Sequence, residues 1–282
     1  MNGCKIGAFL SRGASLNESL QIWRSATGTV PAVVCQFQTL SATPGIPLAE
    51  MELMAKHNII PFLKIEPRDG LKRIASGEEG PVIESLLTKL KSVPGEVRVS
   101  IGHEMNVPLD RAWYPWQGTP GDYRHAVKYF AQQIERLGAN NVKLVFNIDH
   151  QETEELDLYY PGDKYISYLA VDGYNWGPTQ SAWRSRWQEF SEIFMGPIIA
   201  LRAIAPDKPI MIGEFSSAES GGSKAEWIMN AMKAMRELDI EAFTWFDISK
   251  EQDWRVDSSP ASAAAFHQAV SDPYFIQGGK II

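Results

Sequence analysis

The chain has 282 residues, 44% of them hydrophobic, which is enough apolar material for one large core and excludes a disordered or collagen-like protein. Its formal net charge of -7 repels nucleic-acid phosphates and anionic lipids, so neither nucleic acid nor a membrane is expected as a partner. Two cysteines are too few for a disulfide scaffold, and Cys4 and Cys35 are expected to be free, buried thiols.

Two further features of the composition bear on function. No apolar run approaches the ~20 residues that a membrane helix needs, and segment 1–10 is too short and too polar for a signal peptide. Nine Trp and nine Tyr are many for this length, and flat aromatic faces are typical of sites that hold sugar rings or bases. The acidic charge favours sugars.

Short runs rich in Val, Ile, Phe and Leu recur along the chain, each followed by a polar loop and a segment of helical period. Their near-continuous apolar character predicts strands covered on both faces. The predicted strands are 5–11, 32–39, 59–67, 97–104, 142–149, 168–176, 209–216 and 242–248. Because parallel strands need a crossover after each strand, this order predicts an α/β protein, a single (β/α)8 TIM barrel spanning 1–282 as one domain.

The intervening helices have recognisable ends. Ser15 with Glu18, and Ser223 with Glu226, have the spacing of a capping box, in which side-chain oxygens and the opening amides satisfy one another. Gly138 is predicted to end a helix in the left-handed conformation.

Two predicted strands each deliver a carboxylate at the carboxyl end, Glu104 on the fourth strand and Glu214 on the seventh. These strands are nearly opposite in a ring of eight, so both side chains can address one substrate bond from two sides. Cleavage of a glycosidic bond needs one protonated and one ionised carboxyl group. The alternative for each residue is a structural salt bridge. The long segments 106–119 and 177–188 follow strand ends and are expected to shape the cleft.

Several motifs, in their order and spacing, resemble glycoside hydrolase family 26, which belongs to the clan of retaining (β/α)8 glycosidases. The motifs are Gly102-His103-Glu104-Met105-Asn106, Trp113-Tyr114-Pro115-Trp116, Tyr160-Pro161-Gly162-Asp163, Val171-Asp172-Gly173-Tyr174-Asn175-Trp176-Gly177, Gly213-Glu214-Phe215, and Asp253-Trp254-Arg255 with Ser258-Ser259-Pro260. The resemblance covers most of the chain. It implies that Glu104 is the acid/base and Glu214 the nucleophile.

The resemblance implies further roles. His103 is expected to bind the sugar beside the scissile bond, or else to pack beneath Glu104. Tyr174 is expected to orient the nucleophile, and Trp245 to form the floor of the subsite on the non-reducing side.

Other tryptophans are judged by their surroundings in the sequence. An aromatic face stacks on the C–H faces of a pyranose, which makes four residues candidate sugar platforms, with loop anchoring as the alternative: Trp113, Trp116, Trp176 and Trp254. Four other aromatic residues recur at helical spacing and are expected to face the core: Trp183, Trp187, Phe190 and Phe194.

The chain departs from the family pattern at Ser100, because the family usually has Arg three residues before the His of the His-Glu pair. A missing arginine alters the electric field around the nucleophile, and Arg98 is expected to reach part of the vacated space. The segment 107–112 also lengthens the connection to the Trp-Tyr-Pro-Trp motif.

No cofactor and no metal are expected, since His103, His125 and His150 lack the paired spacing of zinc sites. Two alternative functions remain open. The glycine pair Gly221-Gly222 before a helix is compatible with a phosphosugar-metabolising barrel, and Ser100 in place of Arg is compatible with a non-catalytic glycan-binding barrel.

The sequence therefore predicts a retaining endo-β-glycanase that acts as a monomer on a β-linked polysaccharide or oligosaccharide. The segments 172–187 and 217–222 look closer to the branch that cuts mixed-linkage β-1,3-1,4-glucan (lichenase) than to the endo-β-1,4-mannanases, which are the alternative. Because such polymers cannot enter a cell intact, an extracellular enzyme is expected, with a cytoplasmic enzyme on imported oligosaccharides as the alternative.

Overall fold

The computed structural model describes residues 3–40 and 47–279. Within them the strands form one parallel sheet that closes on itself, because β9 pairs with both β8 and β2. The strands are β1 (Cys4–Lys5), β2 (Gly7–Leu10), β3 (Val33–Thr39), β4 (Ile60–Glu66), β5 (Val97–Ile101), β6 (Val142–Asp149), β7 (Tyr168–Asn175), β8 (Ile210–Ser217), β9 (Ala242–Asp247) and β10 (Phe275–Ile276). The predicted (β/α)8 barrel, formed by β2 to β9, is confirmed.

The predicted first strand, 5–11, is divided in the structure. Its first part, β1, pairs with β10 and touches β9, whereas its second part, β2, joins the barrel. At Gly7 an added Cβ would lie 2.3 Å from the Phe243 carbonyl oxygen, so glycine permits the close approach of β2 to β9.

Helices surround the barrel. They are α1 (Leu16–Thr27), α2 (Leu48–Lys56), α3 (Leu71–Ala75), α4 (Gly80–Ser92), α5 (Pro120–Leu137), α6 (Leu156–Tyr159), α7 (Phe190–Ile204), α8 (Lys224–Glu237) and α9 (Pro260–Val270). In the part of the chain that is described, none of them is both long and apolar enough to cross a membrane.

The predicted helix ends agree with the structure. The Ser15 side chain caps α1 by accepting from the amide of Glu18, and the Glu18 carboxylate accepts from the amide of Ala14 at 2.8 Å. Ser223 likewise caps α8. Gly138 ends α5 with a φ of 64°, in the left-handed region that glycine adopts without strain.

Alternation along the strands separates two apolar layers. Cys35, Phe62 and Ala170 pack together inside the barrel. The residues that alternate with them along the strands point outward and pack between the sheet and the helices. Cys4 and Cys35 are both free and buried, as predicted. This alternation determines which strand residues reach the cleft.

Arg98 lies at the amino-terminal end of the barrel. Its guanidinium donates to the Glu241 carboxylate at 2.6 and 2.8 Å and to Glu96 at 2.8 Å, and it lies 3.9 Å from the centre of the Tyr168 ring. Glu96 and Glu241 directly precede β5 and β9. The prediction that Arg98 reaches part of the space left at Ser100 is therefore wrong, because its charge is engaged at the opposite end from the strand ends that carry Glu104.

Candidate active site

Both predicted carboxylates border one cleft at the carboxyl ends of the strands. Glu104 follows β5, Glu214 lies within β8, and both line this cleft together with His103, Tyr174 and Trp176. Parallel strands of a barrel deliver their carboxyl ends to one face, which is why residues 110 positions apart in the chain meet there. The structure thus brings together the core of the predicted site.

The backbone at Glu104 is held in an unusual conformation. Its φ of 56° lies in the left-handed region, two residues after Gly102, which has a φ of 58°. The Glu104 amide donates to the Asn147 carbonyl at 2.8 Å, and the Glu104 carbonyl accepts from the Gln117 side chain at 3.1 Å. Such strain persists only where surrounding contacts impose it, and it is common at functional sites.

Gln117 connects the Glu104 turn to the aromatic loop that follows it. Its side-chain oxygen accepts from the amides of Trp113 and Tyr114 at 2.9 and 3.0 Å while its nitrogen donates to Glu104. Because Gln117 is fully buried, these bonds position the loop relative to the carboxylate.

The surroundings of Glu104 favour its protonated form. Burial raises the pKa of Glu104 well above its usual value, and the negative charges of Asp172, Asp149 and Glu214 raise it further, against the opposing charge of Lys64. A carboxyl group that keeps its proton near neutral pH can donate that proton to a leaving group.

Glu214 is surrounded by donors. The Tyr174 hydroxyl donates to its Oε2 at 2.5 Å, and the Lys64 ammonium donates to its Oε1. Lys64 also donates to Asp172 Oδ2 at 2.7 Å. Burial and the neighbouring carboxylate raise the pKa of Tyr174, so the phenol keeps its proton for this bond. Glu214 is thus held as an oriented carboxylate that can act as a nucleophile.

His103 forms part of the cleft wall and is 2% exposed. The centre of its ring lies 5.5 Å from the ring centres of Phe37, Tyr114 and Trp116. Burial, reinforced by the positive charges of Lys64 and Arg68, lowers the pKa of His103 well below its usual value, so the imidazole is neutral. A neutral ring offers one donor and one acceptor to a sugar hydroxyl.

Three of the predicted platforms occupy different positions around the cleft. Trp176 borders it and is half-buried, with its ring centre 4.8 Å from that of Trp254. Trp254 also borders the cleft but is only 1% exposed, so it supports Trp176 and Tyr174 from below. Trp113 is 57% exposed and lies outside the cleft lining.

The predictions for Trp116 and Trp245 are wrong, because both rings are fully buried and offer no face to a sugar. Trp116 stacks on Tyr114 at 4.4 Å and donates to the His103 carbonyl at 2.7 Å, so it anchors the loop. Trp245 packs against Phe215 on the helix side of β9. Strand alternation turns the next residue, Phe246, towards the cleft.

Trp183 also differs from its prediction. Its helical spacing predicted a core position, yet the structure places it in a short 3-10 turn (Ser181–Trp183) before α7, where it is 59% exposed. Its ring meets that of Trp176 edge-on at 5.6 Å. Phe190 and Phe194 do face the core from α7, as predicted, and Trp187 is half-buried.

The glycine pair before α8 is explained by packing. A Cβ added to Gly222 would lie 2.4 Å from the Trp187 ring, and one added to Gly221 would lie 2.6 Å from Pro178. Neither glycine borders the main cleft. These contacts account for Gly221 and Gly222 without a phosphate.

Sequence reasoning assigned no role to Lys64 and Asp172, although both are fully buried beside Glu214. A signal was present, since each is a charged residue inside an otherwise apolar strand segment. Phe246 was missed because Trp245, one residue earlier on β9, was predicted to face the cleft instead.

The fold and the cleft together define a (β/α)8 barrel with two carboxylates, from nearly opposite strands, at one cleft. No family model matches the chain. The chain is 33% identical over 282 residues to endoglucanase H of Acetivibrio thermocellus, an alignment that covers 95% of this chain and 30% of the relative. It therefore spans about a third of the length of that protein.

Solved structures extend the comparison. A modular endo-β-1,4-mannanase from Cellulomonas fimi matches with a TM-score of 0.71 and 16% identity, covering 98% of this chain and 72% of that one. A family 26 β-mannanase from Bacteroides ovatus matches with a TM-score of 0.69 and 15% identity, covering 100% and 92%. At these identities the likeness establishes the fold. The fold that the resemblance to glycoside hydrolase family 26 implies is thereby confirmed, and the likeness does not single out the mixed-linkage glucanase branch.

Proposed function

We propose that the chain is a retaining endo-β-glycanase of glycoside hydrolase family 26. The observation that carries this proposal is that two carboxyl groups in one cleft have different electrostatic environments. Burial and neighbouring negative charge favour the protonated form of Glu104, while Lys64 and Tyr174 donate to Glu214. Pairs of carboxyl groups with such different environments divide the roles of acid and nucleophile between them.

The proposed reaction proceeds in two displacements. Glu104 donates its proton to the glycosidic oxygen while a Glu214 oxygen attacks the anomeric carbon, which breaks the bond to the leaving sugar and forms a glycosyl ester. Glu104, now ionised, takes a proton from water, and that water attacks the anomeric carbon and releases Glu214. Two inversions retain the β configuration.

For the substrate we propose mixed-linkage β-1,3-1,4-glucan. Two observations support it: the likeness of segments 172–187 and 217–222 to the glucan-cutting branch, and the relationship to a protein named endoglucanase H. The alternative is β-1,4-mannan, which is favoured by the fold likeness to mannanases. Glucose and mannose differ only at the 2-hydroxyl group, so discrimination depends on contacts beside the reacting carbon.

Reducing-end release from barley β-glucan, lichenan and galactomannan, measured side by side, tests both levels of the proposal. We expect turnover on the first two polymers, and turnover on galactomannan alone would select the mannanase alternative. The Glu214→Ala variant on each polymer is the control for contaminating activity. Binding of a polymer by the unmodified protein without any turnover would favour a glycan-binding barrel and contradict the proposal.

We further propose that the enzyme works outside the cell, because its polymeric substrates cannot cross a membrane intact. We also propose that it acts as a monomer, since residues of one chain line the cleft with both carboxylates. Enzyme activity in the culture supernatant of the native host, compared with that in the cell lysate, tests the compartment. Activity confined to the lysate, together with cleavage of oligosaccharides only, would favour the cytoplasmic alternative. Light scattering of the purified chain tests the oligomeric state.

A further inference from the structure

We infer that Lys64 is the cation that positions Glu214. It lies on β4, next to the strand β5 on which Ser100 stands where the family usually has an arginine. The inference deepens the proposed function and rests on it. Lys64 belongs to β4, and its Cα pairs in register with that of Ser100 on β5. Paired residues on neighbouring strands lie about 5 Å apart and point to the same side.

The register places Lys64 and Ser100 side by side inside the barrel. Lys64 is two residues beyond Phe62, which belongs to the interior layer, so its side chain points inward as well. Ser100 is fully buried, and its hydroxyl has no hydrogen-bond partner among the residues described. The short side chain of Ser100 leaves the neighbouring space to the longer lysine.

The contacts of Lys64 are those expected of a positioning group. Its ammonium donates to Glu214 Oε1 and to Asp172 Oδ2, the latter at 2.7 Å, and its side chain has no exposed surface. Burial alone lowers the pKa of Lys64, but the two carboxylates raise it above the usual value, so the cation persists. A buried cation fixes both the charge and the orientation of the carboxylate that it contacts.

Nearby cations are engaged with other partners. Arg98 pairs with Glu241 at the other end of the barrel, and Arg68 donates to Glu66 at 2.8 Å. Lys250 pairs with Glu251 at 2.8 Å on the loop after β9. The geometry therefore assigns the positive charge beside Glu214 to Lys64.

Asp172 completes the arrangement. During the first displacement Glu214 changes from a carboxylate to a neutral ester, which removes one of the two charges that Lys64 faces. Burial raises the pKa of Asp172 to about 8, whereas its bond to Lys64 and the loss of the negative charge of Glu214 both lower it, so esterification of Glu214 favours ionised Asp172 as the counter-charge of Lys64. The Lys64–Asp172 pair thus allows Glu214 to lose and regain its negative charge in each catalytic cycle.

Lys64→Met tests this role. Without the cation an ionised Glu214 is less favourable, so the acid limb of the rate against pH should move to higher pH, and kcat should fall by about 100-fold, as for other positioned catalytic groups. Arg98→Met is the matched control, because it removes another buried cation that is remote from the cleft. Both variants should lower the unfolding temperature, but the control should keep the acid limb unchanged.

A charge swap provides the rescue. Lys64→Ala combined with Ser100→Arg returns a cation to the neighbouring strand. The double variant should have a kcat at least about tenfold higher than that of Lys64→Ala, and its acid limb should return to the pH of the unmodified enzyme. A folded Lys64→Met enzyme with an unmoved acid limb would overturn the inference. If Lys64→Met does not fold, Lys64→Gln removes the charge but keeps a hydrogen-bond donor for the buried Asp172, and a shift of the acid limb in the same direction is expected.

Failure of the proposed function would be recognised separately. If the unmodified protein cleaves no β-glycan, carbon-13 NMR of labelled glutamate carboxyl groups still reports on Lys64. The signal of Glu214, assigned by its loss in Glu214→Gln, should titrate at higher pH in Lys64→Met than in the unmodified protein. An identical titration in both proteins would overturn the role of Lys64, whatever the substrate is.

Discussion

The Tyr174 hydroxyl donates to Glu214 Oε2 at 2.5 Å, from the strand adjacent to the one that carries the carboxylate. Together with Lys64 on Oε1, this bond leaves each oxygen of Glu214 with one protein donor. A carboxylate oxygen has two lone pairs, so an attacking pair remains available. The Glu214 carboxylate is therefore oriented from two sides before any substrate arrives.

Tyr174→Phe should lower kcat by about 10- to 100-fold, since a hydrogen bond to a charged group contributes about 1.5–3 kcal/mol. Steady-state kinetics on the preferred polymer measure the effect. Tyr123→Phe is the matched control, because Tyr123 is also buried but its hydroxyl has no partner among the described residues. Equal losses in both variants would show that Tyr174 acts only through packing.

Glu104→Ala should severely slow the cleavage of polysaccharides but spare aryl glycosides with good leaving groups, whose first step needs no proton donor. Because burial raises the pKa of Glu104, the unmodified enzyme should lose activity as the pH rises through that value and Glu104 ionises. The alkaline limb should therefore disappear in the variant. An equal loss on both substrate types, with the limb unchanged, would assign the proton donor elsewhere.

Glu214→Ala should abolish turnover while oligosaccharide binding persists, because the nucleophile acts on the anomeric carbon and contributes little to distant subsites. Added azide should restore cleavage and give a glycosyl azide. Residual activity above about one hundredth of the original rate would contradict the assignment. Proton NMR of the first product of the unmodified enzyme should show the β-anomer, and an initial α-anomer would exclude double displacement.

Trp183→Ala should raise KM on the polymer about fivefold and leave short aryl glycosides unaffected, since aromatic contacts contribute about 1 kcal/mol and this ring lies beyond Trp176 at the edge of the cleft. Trp113→Ala is the comparison, because Trp113 is equally exposed but belongs to the loop after β5. A fall in kcat on short substrates would place Trp183 closer to the reacting bond than the structure does.

Local patterns in the sequence determined the architecture and the two carboxylates. Apolar runs separated by helical segments predicted the barrel, because the periodicities of strands and helices are written in neighbouring residues. The placement of Glu104 and Glu214 at strand ends followed directly, since all parallel strands of a barrel end on one face. The capping residues Ser15 and Ser223 were likewise evident from spacing within one turn.

Tertiary structure alone decided which side chains accompany these carboxylates. Phe246 rather than Trp245 faces the cleft because the closure of the barrel sets the facing of β9, and a shift of one residue exchanges the two sides of a strand. Lys64 lies beside Ser100 through the lateral register of two strands, and it contacts Glu214 from there. Such relationships join residues that are distant in the chain, and only the packed sheet brings their side chains together.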